Sequence, residues 1–312
     1  HRDLHKEYRR QRQMCIRDRS LNYRSFRLYF LAVSFFLLSC SEVDAKSLKD
    51  GSIISQPTIS LDDAITINSK LKMAWNDEFT DSSLNLDKWD FQIGNGVNGW
   101  GNNELQFYTS SKNNYELSEG LLKIVPLHNP SLEQPFTSSK LVTKNKISFK
   151  SPGIISVRFK VPKGQGLWPA IWMMPVDSLF GGWPRSGEID LMEARGSNSQ
   201  QVLSTLHYFQ NGHKFQGNEF NATNFNEEFH NIDLVWNKEK ISFYIDKKYL
   251  VFETSLNSTL GELYPFNEDF YLILNVAIGG NFVKEPVPSE ICSPTVCDDS
   301  QKLIIDYVRY YK

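Results

Sequence analysis

Glu188, Asp190 and Glu193 fall in one short segment, Gly187-Glu188-Ile189-Asp190-Leu191-Met192-Glu193-Ala194-Arg195-Gly196. Carboxylates alternating with apolar residues suit a core strand badly and acid/base chemistry well. Neighbouring carboxyls repel, at least one pKa rises, and the group then holds both a proton and a negative charge. In a regular strand residues 188, 190 and 192 share a face, which sends Glu193 to the other side. One residue looped out near Leu191 or Met192, a β-bulge, brings Glu193 back beside the other two. Retaining cleavage of a glycosidic bond needs an ionised carboxylate to attack the sugar carbon and a protonated one to release the leaving oxygen, about 5–5.5 Å apart. A flat strand at about 3.3 Å per residue holds the two glutamate Cα atoms about 13 Å apart, so the side chains must converge and the sheet must curve round its substrate. The alternative is a metal site or a solvated acidic face, but the trio lacks a nearby His and any calcium-loop pattern.

Directly before the acids stand Gly166-Leu167-Trp168-Pro169-Ala170-Ile171-Trp172-Met173-Met174-Pro175 and Gly182-Trp183-Pro184-Arg185. Trp168 and Trp172 are an even number of residues apart, so one strand face can offer both rings to the CH faces of sugars, while Trp183 sits on a Gly-rich loop at the groove edge. The alternative is that these rings belong to a sandwich core.

Such a site needs sheets, and the sequence supplies them. From about Leu71 apolar residues recur with a period of two, as in Ile155, Val157, Phe159 and Val161 separated by Ser156, Arg158 and Lys160, a strand with one wet face. Similar runs occur at 121–125, 202–209, 232–236, 241–245, 249–253, 270–278 and 303–310, between turns rich in Gly, Asn, Asp and Lys. No long amphipathic helix or internal repeat interrupts them. Many short strands without helical crossovers predict an all-β fold of antiparallel sheets over 71–312, one large sandwich. A net charge of −2 gives no general attraction to nucleic acid or anionic lipid, whereas 7 Trp, 13 Tyr and 21 Phe supply flat apolar surface for neutral partners.

The amino-terminal segment calls for a separate reading. The chain begins at His1, and its basic run to Arg19 is expected to be mistaken gene-start sequence rather than function. Residues 26–39 form an apolar stretch after Arg17, Arg19 and Arg24, the layout of a secretory signal and, at fewer than about 18 apolar residues, short for a membrane span. Leu37-Leu38-Ser39-Cys40 resembles the lipobox of bacterial lipoproteins, so residues 1–40 are expected to be a leader ending at an acylated Cys40; an ordinary signal peptide cut slightly later is the alternative. Residues 41–70 read as a flexible tether. The expected location is the outer membrane or cell surface, otherwise secreted or periplasmic, with membrane contact only through the lipid.

Five motifs in order make the domain resemble glycoside hydrolase family 16, in its laminarinase-like β-1,3-glucanase branch. They are AWNDEF (74–79), GWGNNELQFYT (99–109), GLWPAIWMMP with SGEIDLME (166–175 and 186–193), LILNVAIGGNF (272–282) and IIDYVRYYK (304–312), with TLHYF at 205–209. The resemblance implies a β-jelly-roll sandwich with a concave cleft that cuts β-glucan internally with retention, as a monomer and without a catalytic cofactor. Glu188 matches the nucleophile, Glu193 the general acid/base and Asp190 the helper that shares a proton with the nucleophile. Two residues between Asp190 and Glu193 resemble the laminarinase branch rather than the lichenase branch, which usually has one. His207 matches a family histidine near the acids, with a packed histidine as the alternative, and Asn103 and Glu104 match a polar cleft edge, where Asn also suits turns.

The sequence departs from the family where Lys140 stands in a segment that often carries Arg, and where Phe282 replaces a common Trp. The resemblance also implies a structural calcium held by Glu78, the carbonyl of Gly120 and Asp306, against the plainer reading of edge charges. In an exported chain Cys292 and Cys297, close together in a Pro-rich stretch, are expected to form a small disulfide. Two other activities stay open: a non-catalytic β-glucan-binding protein, or a relative acting on mixed-linkage glucan or a galactan.

Overall fold

The computed structural model describes residues 71–312 apart from 223, 238 and 256–264. The expected leader, the tether and the acylation site Cys40 lie outside the described residues. Strands follow in the order β1 (Met73–Asp77), β2 (Asp90–Phe91), β3 (Phe107–Tyr108), β4 (Tyr115–Ser118), β5 (Leu121–Ile124) and β6 (Leu127–His128). Next come β7 (Phe136–Ser138), β8 (Lys140–Val142), β9 (Gly153–Lys160), β10 (Leu167–Pro175), β11 (Glu188–Arg195) and β12 (Asn198–Phe209). The last are β13 (His213–Asn221), β14 (His230–Trp236), β15 (Lys240–Ile245), β16 (Tyr249–Ser255), β17 (Phe270–Ile278) and β18 (Leu303–Tyr311). Among the described residues helix is confined to three-residue 3₁₀ turns and a π turn at Gly99–Asn103.

Two antiparallel sheets form the β-jelly-roll sandwich. One runs β16-β15-β14-β9-β18-β5-β4 with β1 added to β18; the other runs β13-β12-β11-β10-β17-β8-β2. A small third sheet, β3-β7-β6, was not legible in the sequence, and its β3–β7 pair is parallel. Between the large sheets lies one apolar core, to which β9 gives Ile155, Val157 and Phe159 and β17 gives Leu272, Leu274 and Val276. The expected wet face of β9 is only half wet: Arg158 and Lys160 are partly exposed, but Ser156 is buried. β17 is buried along its whole length, because the residues alternating with its core positions support the floor of the site.

The kink inferred from the acid spacing is present. On β12, Thr205 pairs with Asp190 and Leu203 with Glu193, so Ser204 faces two residues of β11, Leu191 and Met192. On the other side Trp172 pairs with Asp190 and Ile171 with Met192, which leaves Leu191 as the extra residue. Both Leu191 and Met192 are fully buried in the core. Two consecutive inward residues are what return Glu193 to the face of Glu188 and Asp190. The kink breaks the ladder, and the buried Ser204 hydroxyl donates 2.7 Å to the Leu191 carbonyl. Ser204→Ala leaves that carbonyl unpaired in the core and is expected to lower unfolding free energy by about 1–3 kcal/mol in urea titration. An unchanged midpoint would show that the hydroxyl does not hold the kink.

Candidate active site

The outer face of the seven-stranded sheet carries the acids. Asp190, Lys140 and Asn275 project from this outer face yet are only 2%, 4% and 5% exposed, so the face is a trough rather than a plane. Glu188 pairs in register with His207, and Asp190 with Thr205. The Trp183 Nε1–H donates to Glu188, and the Trp168 Nε1–H donates 2.9 Å to Glu193. Asp190 lies close enough to Glu188 for each carboxyl to shift the other's pKa. His207 Nε2 lies 3.2 Å from Asp190 Oδ2.

Burial, and then the negative charge of Asp190, push Glu188 up to about 8, against the opposing pull of His207 and the Trp183 donor. Asp190 is raised by burial and next by Glu193. Glu193 is raised by burial, with His207, the Trp168 indole and Arg195 pulling it down. Since all three rise, the trio keeps at least one proton at neutral pH.

The expected aromatic residues are all present but divide their work. Trp168 is anchored to Glu193 and packs against Phe282 with ring centroids 4.8 Å apart. Trp172 packs on a second apolar cluster of Val142, Tyr271 and Ile273 and donates 2.6 Å to Asn275 Oδ1. Its ring also lies beside the Lys140 ammonium, 4.8 Å from Nζ, which Trp100 approaches more closely at 4.1 Å. Trp183, 41% exposed, stands at the rim as the loop position requires.

The polar edge also differs in detail from its expectation. Glu104 accepts hydrogen bonds from Gln106 at 2.7 Å, Asn102 at 3.2 Å and the Tyr108 hydroxyl at 3.4 Å, a network that faces Lys140. Asn103, with φ 58°, is a turn residue whose amide donates to Asn281 and so ties two rim loops together. Asn275, Tyr108 and Gln106 were not singled out as site residues. The signal for Asn275 was its isolation in the apolar run 270–278; Tyr108 needed the register of a third sheet that short strands do not announce.

Away from the trough, the calcium expectation meets an obstacle. Both carboxylate oxygens of Glu78 accept from Arg309 at 2.8 Å, and Asp306 is ion-paired with Arg158. A dication on either acid would have to displace a guanidinium, so the side chains as placed do not fit the ion; Gly120 keeps the positive φ of a turn glycine. Among the described residues no cluster of three or more His, Cys, Asp or Glu side chains is placed to hold a metal. Cys292 and Cys297 are bonded to each other.

A jelly-roll whose trough gathers three carboxyls among indole rings is built as a carbohydrate-cleaving enzyme is. Residues 91–285 match the model for glycosyl hydrolases family 16, and the chain belongs to that family. It is similar to a glucan endo-1,3-beta-glucosidase of Cryptopygus antarcticus, 38% identical over 67% of this chain and 80% of that protein. It is also similar to glucan endo-1,3-beta-glucosidase A1 of Niallia circulans, 34% identical over 78% of this chain, and spans 38% of the length of that larger protein. The solved laminarinase from Rhodothermus marinus superimposes with a TM-score of 0.69 at 31% identity, covering 78% of this chain and 97% of the other.

The raised acids have a thermodynamic consequence. Glu188 binds its proton more tightly folded than unfolded, so this group's contribution to stability falls as pH climbs from about 4.5 through about 8. Glu188→Gln removes the charge and keeps the shape. Its melting temperature is expected to exceed that of the parent by several degrees at about pH 8 and to match it at about pH 4. A gap that does not widen with pH, in paired calorimetric scans, would contradict the buried-charge account.

Proposed function

We propose that the chain hydrolyses β-1,3-glucan of the laminarin type at internal bonds, with retention of configuration. The observation that carries this reading is the kink in β11, which sets Glu188 and Glu193 on one face of a trough, each with its own indole donor. The family membership and the endo-1,3-glucanase relatives support the substrate class.

In the first half-reaction the Glu188 carboxylate attacks the anomeric carbon. The bond to the glycosidic oxygen breaks, and that oxygen takes the proton of Glu193. The Trp183 indole stabilises Glu188 while it is charged, and Asp190 holds a proton away from the attacking oxygen. In the second half the Glu193 carboxylate draws a proton from water, whose oxygen displaces Glu188 and regenerates both groups. The spacing from Asp190 to Glu193 supports β-1,3-glucan over strictly mixed-linkage substrate. Export as a Cys40 lipoprotein is part of the same proposal and rests on the leader sequence alone.

Laminarin, mixed-linkage glucan and agarose tested side by side should release reducing ends fastest from laminarin, with the β-anomer appearing first by proton NMR. Binding without cleavage in the parent protein would instead identify a glucan-binding module. Glu193→Gln should lower turnover on laminarin by about 10²–10⁴-fold and on activated aryl glucosides far less, since only a poor leaving group needs the proton. Equal losses on both would remove Glu193 from that role.

A further inference from the structure

His207 has a polar neighbour at each ring nitrogen. Nε2 is 3.2 Å from Asp190 Oδ2, while Nδ1 is 2.9 Å from Nε2 of His213. The two imidazoles stack with centroids 5.1 Å apart at 22°. The hairpin between β12 and β13 produces this contact. Its turn at 210–212 uses positive φ at Asn211 (54°) and Gly212 (126°), and the register pairs Phe209 with His213 and His207 with Phe215. His207 and His213 are therefore diagonal neighbours on the outer face. On its other side His213 packs on Trp183, centroids 4.7 Å apart, and that indole donates to Glu188. His213 thus touches the partner of Asp190 and the partner of Glu188.

Building on the hydrolase reading, we propose that His213 is a positioning residue that accepts the Nδ1–H of a protonated His207 and so keeps one positive charge facing the three carboxylates. The protons balance within the pair. His207 carries both ring protons, with Nε2–H toward Asp190 and Nδ1–H toward His213; neutral His213 presents a bare Nε2 and keeps its own proton on Nδ1. The neighbouring groups respond to a charge on His207. Cover of the His213 ring, and next the charge of His207, push the His213 pKa down to about 4. The His207 charge in turn lowers both Glu188 and Glu193. The charged groups around the pair are Glu188, Asp190 and Glu193 on β11, Arg185 on the preceding loop over the Phe209 ring, Lys140 on β8 and Glu219 farther along β13. The nearest of these are acids, which favour a cation at His207.

The experiment compares the parent, His213→Phe and His213→Gln as the full chain. His207 is titrated by two-bond nitrogen–proton NMR, and kcat and KM on laminarin are followed across pH. Phe keeps the ring cover and removes the acceptor; Gln supplies an acceptor oxygen. His213→Phe should lower the His207 midpoint and move the alkaline limb of kcat/KM downward by about one pH unit, a fall of about 10-fold in rate on that limb with KM nearly unchanged. His213→Gln should restore most of both. Three results would overturn the assignment: an unmoved His207 midpoint in the Phe variant, a rise in KM alone, or a Gln variant as impaired as Phe. If the parent cleaves no glucan the functional reading falls, while the His207 titration still decides the role of His213.

Discussion

One residue out of register in β11 governs the whole site. A strand repeats every two residues, and the step from Asp190 to Glu193 is odd. Were Leu191 kept in regular register instead of bulged, the second glutamate would point into the apolar core, where a carboxylate is costly, and the trough would hold two acids instead of three. The sandwich accommodates the kink by burying Leu191 and Met192 together and capping the displaced carbonyl with Ser204. Packing and site geometry are coupled at this point, since the core contact that stabilises the fold also aims Glu193.

Bringing three carboxylates into one dry trough raises an electrostatic problem that the neighbours partly answer. No arginine pairs directly with them among the contacts described. The direct donors are neutral indoles, Trp183 to Glu188 and Trp168 to Glu193, and the nearest cationic group is a histidine. A permanent guanidinium at 3 Å would pull a carboxylate far below neutrality and leave no acid to protonate a leaving group. Indole N–H groups orient the carboxyls while leaving their pKa values high, which suits the proton exchange that the proposed reaction asks of the pair.

The sequence made the acids and their kink legible because a broken period is a local signal that needs no knowledge of the fold. The same holds for β17, where an apolar run from Phe270 to Ile278 matches the strand residue for residue. Interactions between segments distant along the chain were not legible. Asn275 reaches Trp172 and Tyr108 only because three strands meet in a particular order, and the parallel β3–β7 pair has no sequence pattern of its own. His213 was hidden differently. Its role follows from a diagonal contact across a hairpin whose register a three-residue turn sets, and a one-residue change in that turn would send it to the other face. At the positions where the resemblance implies calcium ligands, the partners are arginines: Arg309 pairs with Glu78 and Arg158 with Asp306.

The departure at Lys140 has a physical meaning once its surroundings are seen. Its ammonium is buried among the rings of Trp100, Trp172 and Tyr108, and burial pushes its pKa down to about 8, with Glu104 and Glu188 pulling the other way. An arginine in this cage would stay charged at every pH the fold survives. A lysine gives up its proton in the range in which Glu188 loses its own. Lys140 on β8 and His207 on β12 flank the trough on opposite sides of β11 in the sheet order. As pH rises, Lys140 loses charge while the acids gain it, so support for the carboxylates weakens as their repulsion grows.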